Sequence, residues 1–332
     1  MKPVASLSLD LDNAWSYMKT RGDARWETFP SYLDVVVPRI LGELGRRGLT
    51  ITVFVVGQDA AIEANGPALE AVAAAGHEIG NHSFRHEPWL HRYSETELDD
   101  ELARAEAAIG EATGRHPVGF RGPGYSLSRA TLRVLVRRGY EYDASTLPTY
   151  IGPLARALYF RRSRLDSEQR RERALLFGTM RDGLRPVRPY WWRTEPRELL
   201  EIPVTTMPVV KAPIHVSYLL TLASISPRLA RTYFRAALAA CRRTGIGPSL
   251  LLHPLDFLGP EDAPELAFFP AMGLPAATKI RELHHYLAAF EDSFTVGPVA
   301  AHARVVRNRP GLQRRAPDFV EDDEPGGVRA AA

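Results

Sequence analysis

The sequence predicts an α/β fold in which parallel strands form an irregular (β/α) barrel with helices packed outside it. Two observations carry this. Short runs rich in Val, Ile, Leu and Phe alternate with helix-like stretches through the first half of the chain, and residues with catalytic chemistry recur where the apolar runs end. A chain of 332 residues, 45% of them hydrophobic, can also bury one large core or two modest ones.

The strands are expected at residues 5–11, 51–56, 77–81, 119–121 and 249–253, each a short apolar run bounded by turn-forming or polar residues. Helical apolar spacing marks 67–75 and 95–112, the second opening with Ser94 ahead of Glu97 in a capping-box pattern. A further helix over 127–139 ends at Gly139. No internal repeat is apparent. Residues 1–303 are read as one domain interrupted by a basic insertion at about 154–190. Within 154–177, seven arginines (156, 161, 162, 164, 170, 171 and 173) meet only three acids. A solvated helix face accounts for such a run, and a patch for lipid headgroups or polyanions is the alternative. From Arg304 the chain turns polar and lacks a core-forming pattern, so 304–332 is expected to be a disordered tail.

Composition narrows the function. Cys241 is the single cysteine, so neither an internal disulfide nor a thiolate metal cluster can form within one chain, and any metal site must use His and carboxylates. With 42 Lys+Arg against 39 Asp+Glu, nucleic-acid binding is not indicated. The opening MKPVASLSLDLD lacks the apolar region of a secretory leader, and the apolar run at 218–225 falls short of the ~20 residues a membrane span needs. The protein is therefore expected in the cytoplasm, with peripheral contact to a membrane or lipid carrier left open, as is a homo-oligomer.

Asp10 and Asp12 lie two apart in SLSLDLDN, so on a strand they share a face while Leu7, Leu9 and Leu11 pack on the other. Two carboxylates so close call for a neighbouring cation or arginine; a solvated Asp pair at a strand end is the blander alternative. In GNHSFRHEPW, His82 and His86 are four residues apart and could meet at one point if the segment turns helically. With one carboxylate they would make a three-ligand site with open positions, as activation of water by a metal requires. Arg121, before GPGY, can pair with a carboxylate in a fixed fork. His253, in SLLLHPLDF, ends an apolar run where a buried strand surfaces. Each alone has an ordinary structural explanation. Their common position at or just beyond predicted C-terminal strand ends, the rim where barrel active sites are built, does not.

These segments, in this order, resemble the polysaccharide deacetylase family, also known as the NodB-homology or carbohydrate esterase 4 group. ITVFVVGQDA, AAGHEIGNHSFRH, FRGPGYSLSRATLRVLVRRGYEYDAS and LLHP carry the resemblance, which runs from about Ser6 to Asp143 and resumes near Ser249. It implies a barrel of about seven parallel strands. It also implies Asp12, His82 and His86 as metal ligands, Asp10 as general base, Arg121 as the residue orienting Asp10, and His253 as general acid. The first motif reads DLDN, a variant resembling the branch that holds intracellular peptidoglycan-deacetylase-like and allantoinase-like proteins, whose substrates are varied small amides. The arginine motif carries one extra residue before Tyr125, which leaves open whether the Tyr125 backbone N–H serves an oxyanion hole. Asp143 and Asp256 are both candidates for the aspartate that tunes the acid.

The expected function is a metal-dependent hydrolase, with Zn²⁺ as the first choice of ion and Co²⁺, Ni²⁺ or Fe²⁺ as others, removing an N-acyl group, acetyl above all, from a sugar or carrier-linked saccharide. Hydrolysis of another non-peptide C–N amide bond is the near alternative. A non-haem Fe(II) oxygenase would share the two-His, one-carboxylate set, but its usual pattern places a carboxylate where Phe84 stands. A catalytically silent sugar-binding protein would have no use for a paired base and acid. Trp191, within RPYWW, and His215 are candidates for lining a saccharide groove, with core packing the alternative for each.

Overall fold

The computed structural model describes residues 2–163, 165–176 and 178–319. Ten strands form one sheet: β1 (Val4–Leu11), β2 (Thr52–Val55), β3 (Glu78–Asn81), β4 (Gly119–Phe120), β5 (Tyr142–Asp143), β6 (Tyr190–Trp192), β7 (Leu199–Glu201), β8 (Ser249–Leu252), β9 (Thr295–Gly297) and β10 (Arg314–Arg315). Their order is β10-β6-β7-β5-β4-β3-β2-β1-β8, with β9 also pairing β1. Every pairing is parallel except β6 with β7. Seven strands, from β7 round to β8, make the parallel wall, and its two ends meet through the Thr205 N–H, which donates to Ser249 O at 2.9 Å just beyond β7. The result is the expected α/β architecture.

Alternation along β1 shows why the strand reads as it does. Leu7, Leu9 and Leu11 are buried in the main apolar cluster with Val36, Val37 and Ile40 of the helix Leu33–Gly45. Ser6, Ser8 and Asp10 occupy the opposite, inner face, where a barrel interior accepts polar groups only if they are bonded. Ser6 Oγ lies 3.0 Å from His302 Nδ1, and Ser8 Oγ accepts from Arg121 Nη1 at 2.8 Å. The helix Glu95–Thr113 begins at the expected capping box, in which Ser94 Oγ accepts from Glu97 N and the Glu97 carboxylate accepts from Ser94 N. The predicted helix over 127–139 forms as Arg129–Arg137, and Gly139 follows it at φ 87°, where a side chain would be strained.

The expectation of a disordered tail from Arg304 is corrected by this structure up to residue 319. The helix Val299–Arg307 crosses residue 304 because Val299, Ala303 and Val306 share a buried stripe. Arg314–Arg315 then pair with Trp191–Trp192, and Phe319 packs 5.5 Å from Trp192. Residues 320–332 of that tail lie outside the described residues. The basic segment forms two helices, Gly152–Arg162 and Ser167–Glu172, and is held across to the helix Ala14–Arg21 where Arg173 donates to Thr20 O at 2.9 Å and Lys19 O at 3.2 Å. Among the described residues, no helix is long and apolar enough to cross a membrane.

Candidate metal centre

Five of the polar residues singled out in the sequence lie together at the C-terminal ends of β1, β3 and β4. Asp12 Oδ1 is 3.0 Å from His86 Nε2 and 3.3 Å from His82 Nε2. One ligand atom from each of the three lies within 4.8 Å of the others, and all three residues are buried. The approach of His86 differs from expectation: Glu78–Asn81 is followed by a bend rather than a helical turn, with Ser83 at φ 62° and His86 at φ 52°. Non-glycine residues adopt that region at a cost, one that recurs where backbone is bent to aim a functional side chain. Ser83 Oγ accepts from the His86 N–H at 3.1 Å and the Asn81 side chain accepts from the Ser83 N–H at 2.8 Å, which holds the bend.

The donor set fits a cation. Asp12 Oδ1 and both ring nitrogens of His86 are buried without a hydrogen-bond partner, although Asp12 and His86 are in contact. Buried orphans of this kind cost roughly 1–3 kcal/mol each when nothing satisfies them. A divalent ion shared by the carboxylate and two imidazoles would satisfy Asp12 Oδ1 and the His86 Nε2 that faces it in one step. His82 Nδ1 lies 2.6 Å from Arg121 O, a backbone contact that fixes the ring and leaves Nε2 facing Asp12. Burial alone would raise the Asp12 carboxyl, but His86 and His82 beside it hold it well below the usual carboxylate range. For His82, burial opposes the charged form and is outweighed by Asp10 and Asp12, which raise it.

Beside this group, Asp10 Oδ1 accepts from Arg121 Nη1 at 2.8 Å, and Asp10 Oδ2 is 3.9 Å from His82 Nε2. Arg121 is completely buried; its Nε donates to Ala144 O at 2.9 Å and its guanidinium lies 4.4 Å from the Phe54 ring centroid. His253 follows β8, and its Nδ1 is 3.0 Å from Ser217 Oγ, which donates to Asp256 Oδ1 at 2.8 Å. The other oxygen of Asp256 accepts from the His253 N–H at 2.8 Å. Of the two aspartates left open by the sequence, Asp256 is therefore the one linked to His253. Asp143 instead stands in register with Glu201 across β5 and β7, where burial raises both carboxyls, Glu201 the more.

Three candidates from the sequence take other positions. The Tyr125 N–H donates to Gly122 O at 3.0 Å inside the turn Pro123–Tyr125, so this backbone donor is already taken by the extra residue's own turn. Trp191, on β6 between β10 and β7, packs against a cluster that includes Tyr142, Leu200, Val299 and Val306, which makes it a packing residue. His215 is buried with its ring centroid 6.0 Å from that of His253 and 4.4 Å from that of Tyr218. Burial, with His253 and Arg121 adding to it, keeps His215 neutral, well below the usual imidazole range.

The sequence reading missed the supporting residues. Ser217 sits in the first turn of the helix Val216–Ala223, Tyr32 donates to Asp12 O at 2.6 Å, and Asp59 accepts from Asn13 Nδ2 at 2.8 Å and Trp15 Nε1 at 2.9 Å. Trp15 meets the His86 ring edge-on at 6.4 Å, so Asp59 braces the wall behind a ligand. Burial pushes the Asp59 carboxyl up to about 7 against those two hydrogen bonds. Asn13 followed by a helix start was a capping signal visible in the sequence; the others depend on distant chain neighbours.

Comparison with known proteins bears on the fold and on the first half of the chain. Residues 19–142 match the family model for polysaccharide deacetylase. A peptidoglycan deacetylase of Helicobacter pylori is 30% identical over 114 residues, 34% of this chain, and the match spans only 38% of that protein's length. A Mycobacterium smegmatis crystal structure assigned to the polysaccharide deacetylases superposes with TM-score 0.62 at 21% identity, covering 98% of this chain and 96% of the other. Puue allantoinase superposes with TM-score 0.55 at 17% identity, covering 91% of this chain and 90% of that one. At these identities the two structures speak for the fold. Residues 19–142 thus resemble a polysaccharide deacetylase domain, and the chain shares its fold with these two structures.

Proposed function

We propose that the chain is a metal-dependent deacetylase that hydrolyses an N-acyl amide, in the first instance N-acetyl, on a sugar or carrier-linked saccharide. The observation that carries this is the convergence of Asp12, His82 and His86 on one buried point with Asp10, braced by Arg121, on its flank. In this proposal Asp12, His82 and His86 hold a divalent cation, Zn²⁺ being the ion best suited to an Asp-His-His donor set, with Co²⁺, Ni²⁺ and Fe²⁺ also compatible. A cation bound there supplies Lewis-acid polarisation of the acyl carbonyl and acidifies water to a pKa of about 7.

The chain's own residues do the rest. Asp10 takes a proton from the attacking water; the Arg121 guanidinium, bonded to one Asp10 oxygen, leaves the other oxygen turned toward His82 to receive it. An amine leaves poorly as an anion, so the reaction needs a proton donor, and in this proposal His253, at the end of the strand beside β1, has that role. Its Nδ1 faces Ser217 and, through it, the Asp256 carboxylate, a run of hydrogen bonds that orients the ring and its Nε2. Neutral His215 beside His253 can donate or accept a hydrogen bond to substrate without adding charge.

The fold shared with an allantoinase keeps a second substrate class in view, hydrolysis of another non-peptide C–N amide by the same groups. The test is an acetate-release screen over N-acetylated saccharides and their carrier-linked forms, with small cyclic amides alongside, on protein of known metal content. Acetate release that disappears with His82→Ala supports the deacetylase; turnover of the cyclic amides alone would replace it with the second class.

A further inference from the structure

Lys279, in the helix Ala276–Ser293, is completely buried. Its Nζ donates to Leu255 O at 2.7 Å, to Leu258 O at 2.6 Å and to Met272 Sδ at 3.1 Å, so its three N–H groups go to neutral acceptors. An ammonium is costly to bury, and an apolar side chain of similar length would fill the space without that cost. The cation's place accounts for its presence. Leu255 and Leu258 stand on either side of Asp256 in the turn that follows His253. Arg39, from the helix Leu33–Gly45, holds the carbonyl between them, donating to Phe257 O at 2.6 Å while it pairs with Asp262 at 2.8 Å.

Asp256 is itself buried, and Ser217 Oγ and the His253 N–H both donate to it, one to each oxygen. Such surroundings suit a carboxylate, because a protonated acid would have to donate where it now accepts. Burial opposes the charged form and raises the Asp256 carboxyl, while His253, the Ser217 hydroxyl and the Lys279 cation act against it. Burial also lowers Lys279, to about 8, with Asp256, Glu261 and Asp262 opposing it, so the amine keeps its charge at neutral pH. Of these acids, Glu261 accepts from the Ala276 N–H at 2.8 Å and Asp262 is paired with Arg39. Tyr17, on the helix Ala14–Arg21, also lies near Asp256, and burial keeps its phenol protonated.

We propose that Lys279 is a positioning residue of the acid relay, its ammonium fixed to the carbonyls on either side of Asp256 so that the carboxylate stays charged and turned toward Ser217 and His253. The inference rests on the reading of His253 as the proton donor. Lys279 bonds to none of the groups assigned a chemical role; it acts through Asp256, whose charge a neutral side chain at 279 would leave unsupported. A lysine that only capped two turn carbonyls would change stability and leave the rate of the folded enzyme alone.

The test joins titration to kinetics on the full chain. In carboxyl ¹³C NMR, with the Asp256 signal assigned by its loss in Asp256→Asn, the Asp256 midpoint should lie about one pH unit higher or more in Lys279→Met, because removing a nearby cation disfavours the carboxylate. Acetate release by the metal-loaded variant should fall about tenfold or more in kcat at neutral pH, with KM and metal content unchanged. Its acid limb should move to higher pH together with the Asp256 midpoint. The coupling is reciprocal, so Asp256→Asn should lower the midpoint of the Lys279 amine in ¹⁵N NMR, and this arm stands in if Lys279→Met does not fold. An Asp256 midpoint unchanged in Lys279→Met, a wild-type kcat and acid limb, or a Lys279 midpoint unmoved by Asp256→Asn would overturn the proposal. A wild-type chain that releases no acetate would instead remove the functional reading, and the two titrations would still decide whether Lys279 supports the Asp256 charge.

Discussion

Ser217→Ala should slow acetate release about tenfold to a hundredfold without removing metal. The serine hydroxyl bridges His253 Nδ1, at 3.0 Å, and Asp256 Oδ1, at 2.8 Å. Cutting it deprives the charged imidazole of its acceptor while leaving Asp256 bonded to the His253 N–H at 2.8 Å, so the loop stays anchored. A hydrogen bond to a charged group contributes roughly 1.5–3 kcal/mol. At about 1.4 kcal/mol per factor of ten, that is the stated loss if it falls on the step in which His253 gives up its proton. Initial rates of acetate release across a pH series, with metal content measured on the same samples, provide the assay. Ser217→Thr, which keeps the hydroxyl, should recover most of the rate. A Ser217→Ala enzyme within about twofold of wild type, a difference well under 1 kcal/mol, would refute the relay.

Three other outcomes follow from the same structure. Asp10→Asn should retain metal and lose about 10²–10⁴-fold in rate, the usual worth of a general base; full turnover would remove Asp10 from that role. His302 is buried against Ser6, and burial lowers its pKa from 6.5 to about 4, so its neutral form is favoured in the folded chain. Its contribution is complete above pH 6.5 and is lost as pH falls toward about 4, worth at most about 3 kcal/mol; chemical denaturation of His302→Gln should show a flatter acid limb, and an unaltered limb would contradict this. Gly122→Ala would place a Cβ 2.0 Å from Ser126 O, so the turn after Arg121 must open, and stability should fall by about 1–3 kcal/mol in a denaturant titration; a neutral result would mean the turn is free to move.

What the sequence displayed and what it hid follow from the range of the forces involved. Strand β1 was legible because period-two alternation separates Leu7, Leu9 and Leu11 from Ser8 and Asp10, and the capping box of Ser94 and Glu97 is decided within four residues. Strands β4 and β5 have two residues each, too few to show a period, and only β4 could be placed because Arg121 and the GPGY turn follow it. Strands β6 and β10 exist only because they pair with one another and with β7, a tertiary fact with no local signature. At the site, the chemistry-bearing types at short spacing, Asp10 with Asp12 and His82 with His86, stood out. The choice between Asp143 and Asp256 did not, because it turns on Ser217, which lies in a different segment from either. The Tyr125 N–H was left open for a similar reason: only the structure shows that the extra residue in RGPGY closes a turn that uses it. Trp191 by type alone fitted either a groove or the core, and only its neighbours Leu200 and Val299 show it packed against the core.

The most direct measurement is the divalent-metal content of the purified chain, by elemental analysis after loading and exhaustive buffer exchange, alongside His82→Ala, His86→Ala and Asp12→Asn, each checked for wild-type circular dichroism. One equivalent of metal per wild-type chain, and a small fraction of that in each folded variant, is the result expected from the three buried ligands. Wild-type chain that retains no metal, or variants that keep a full equivalent, would contradict it.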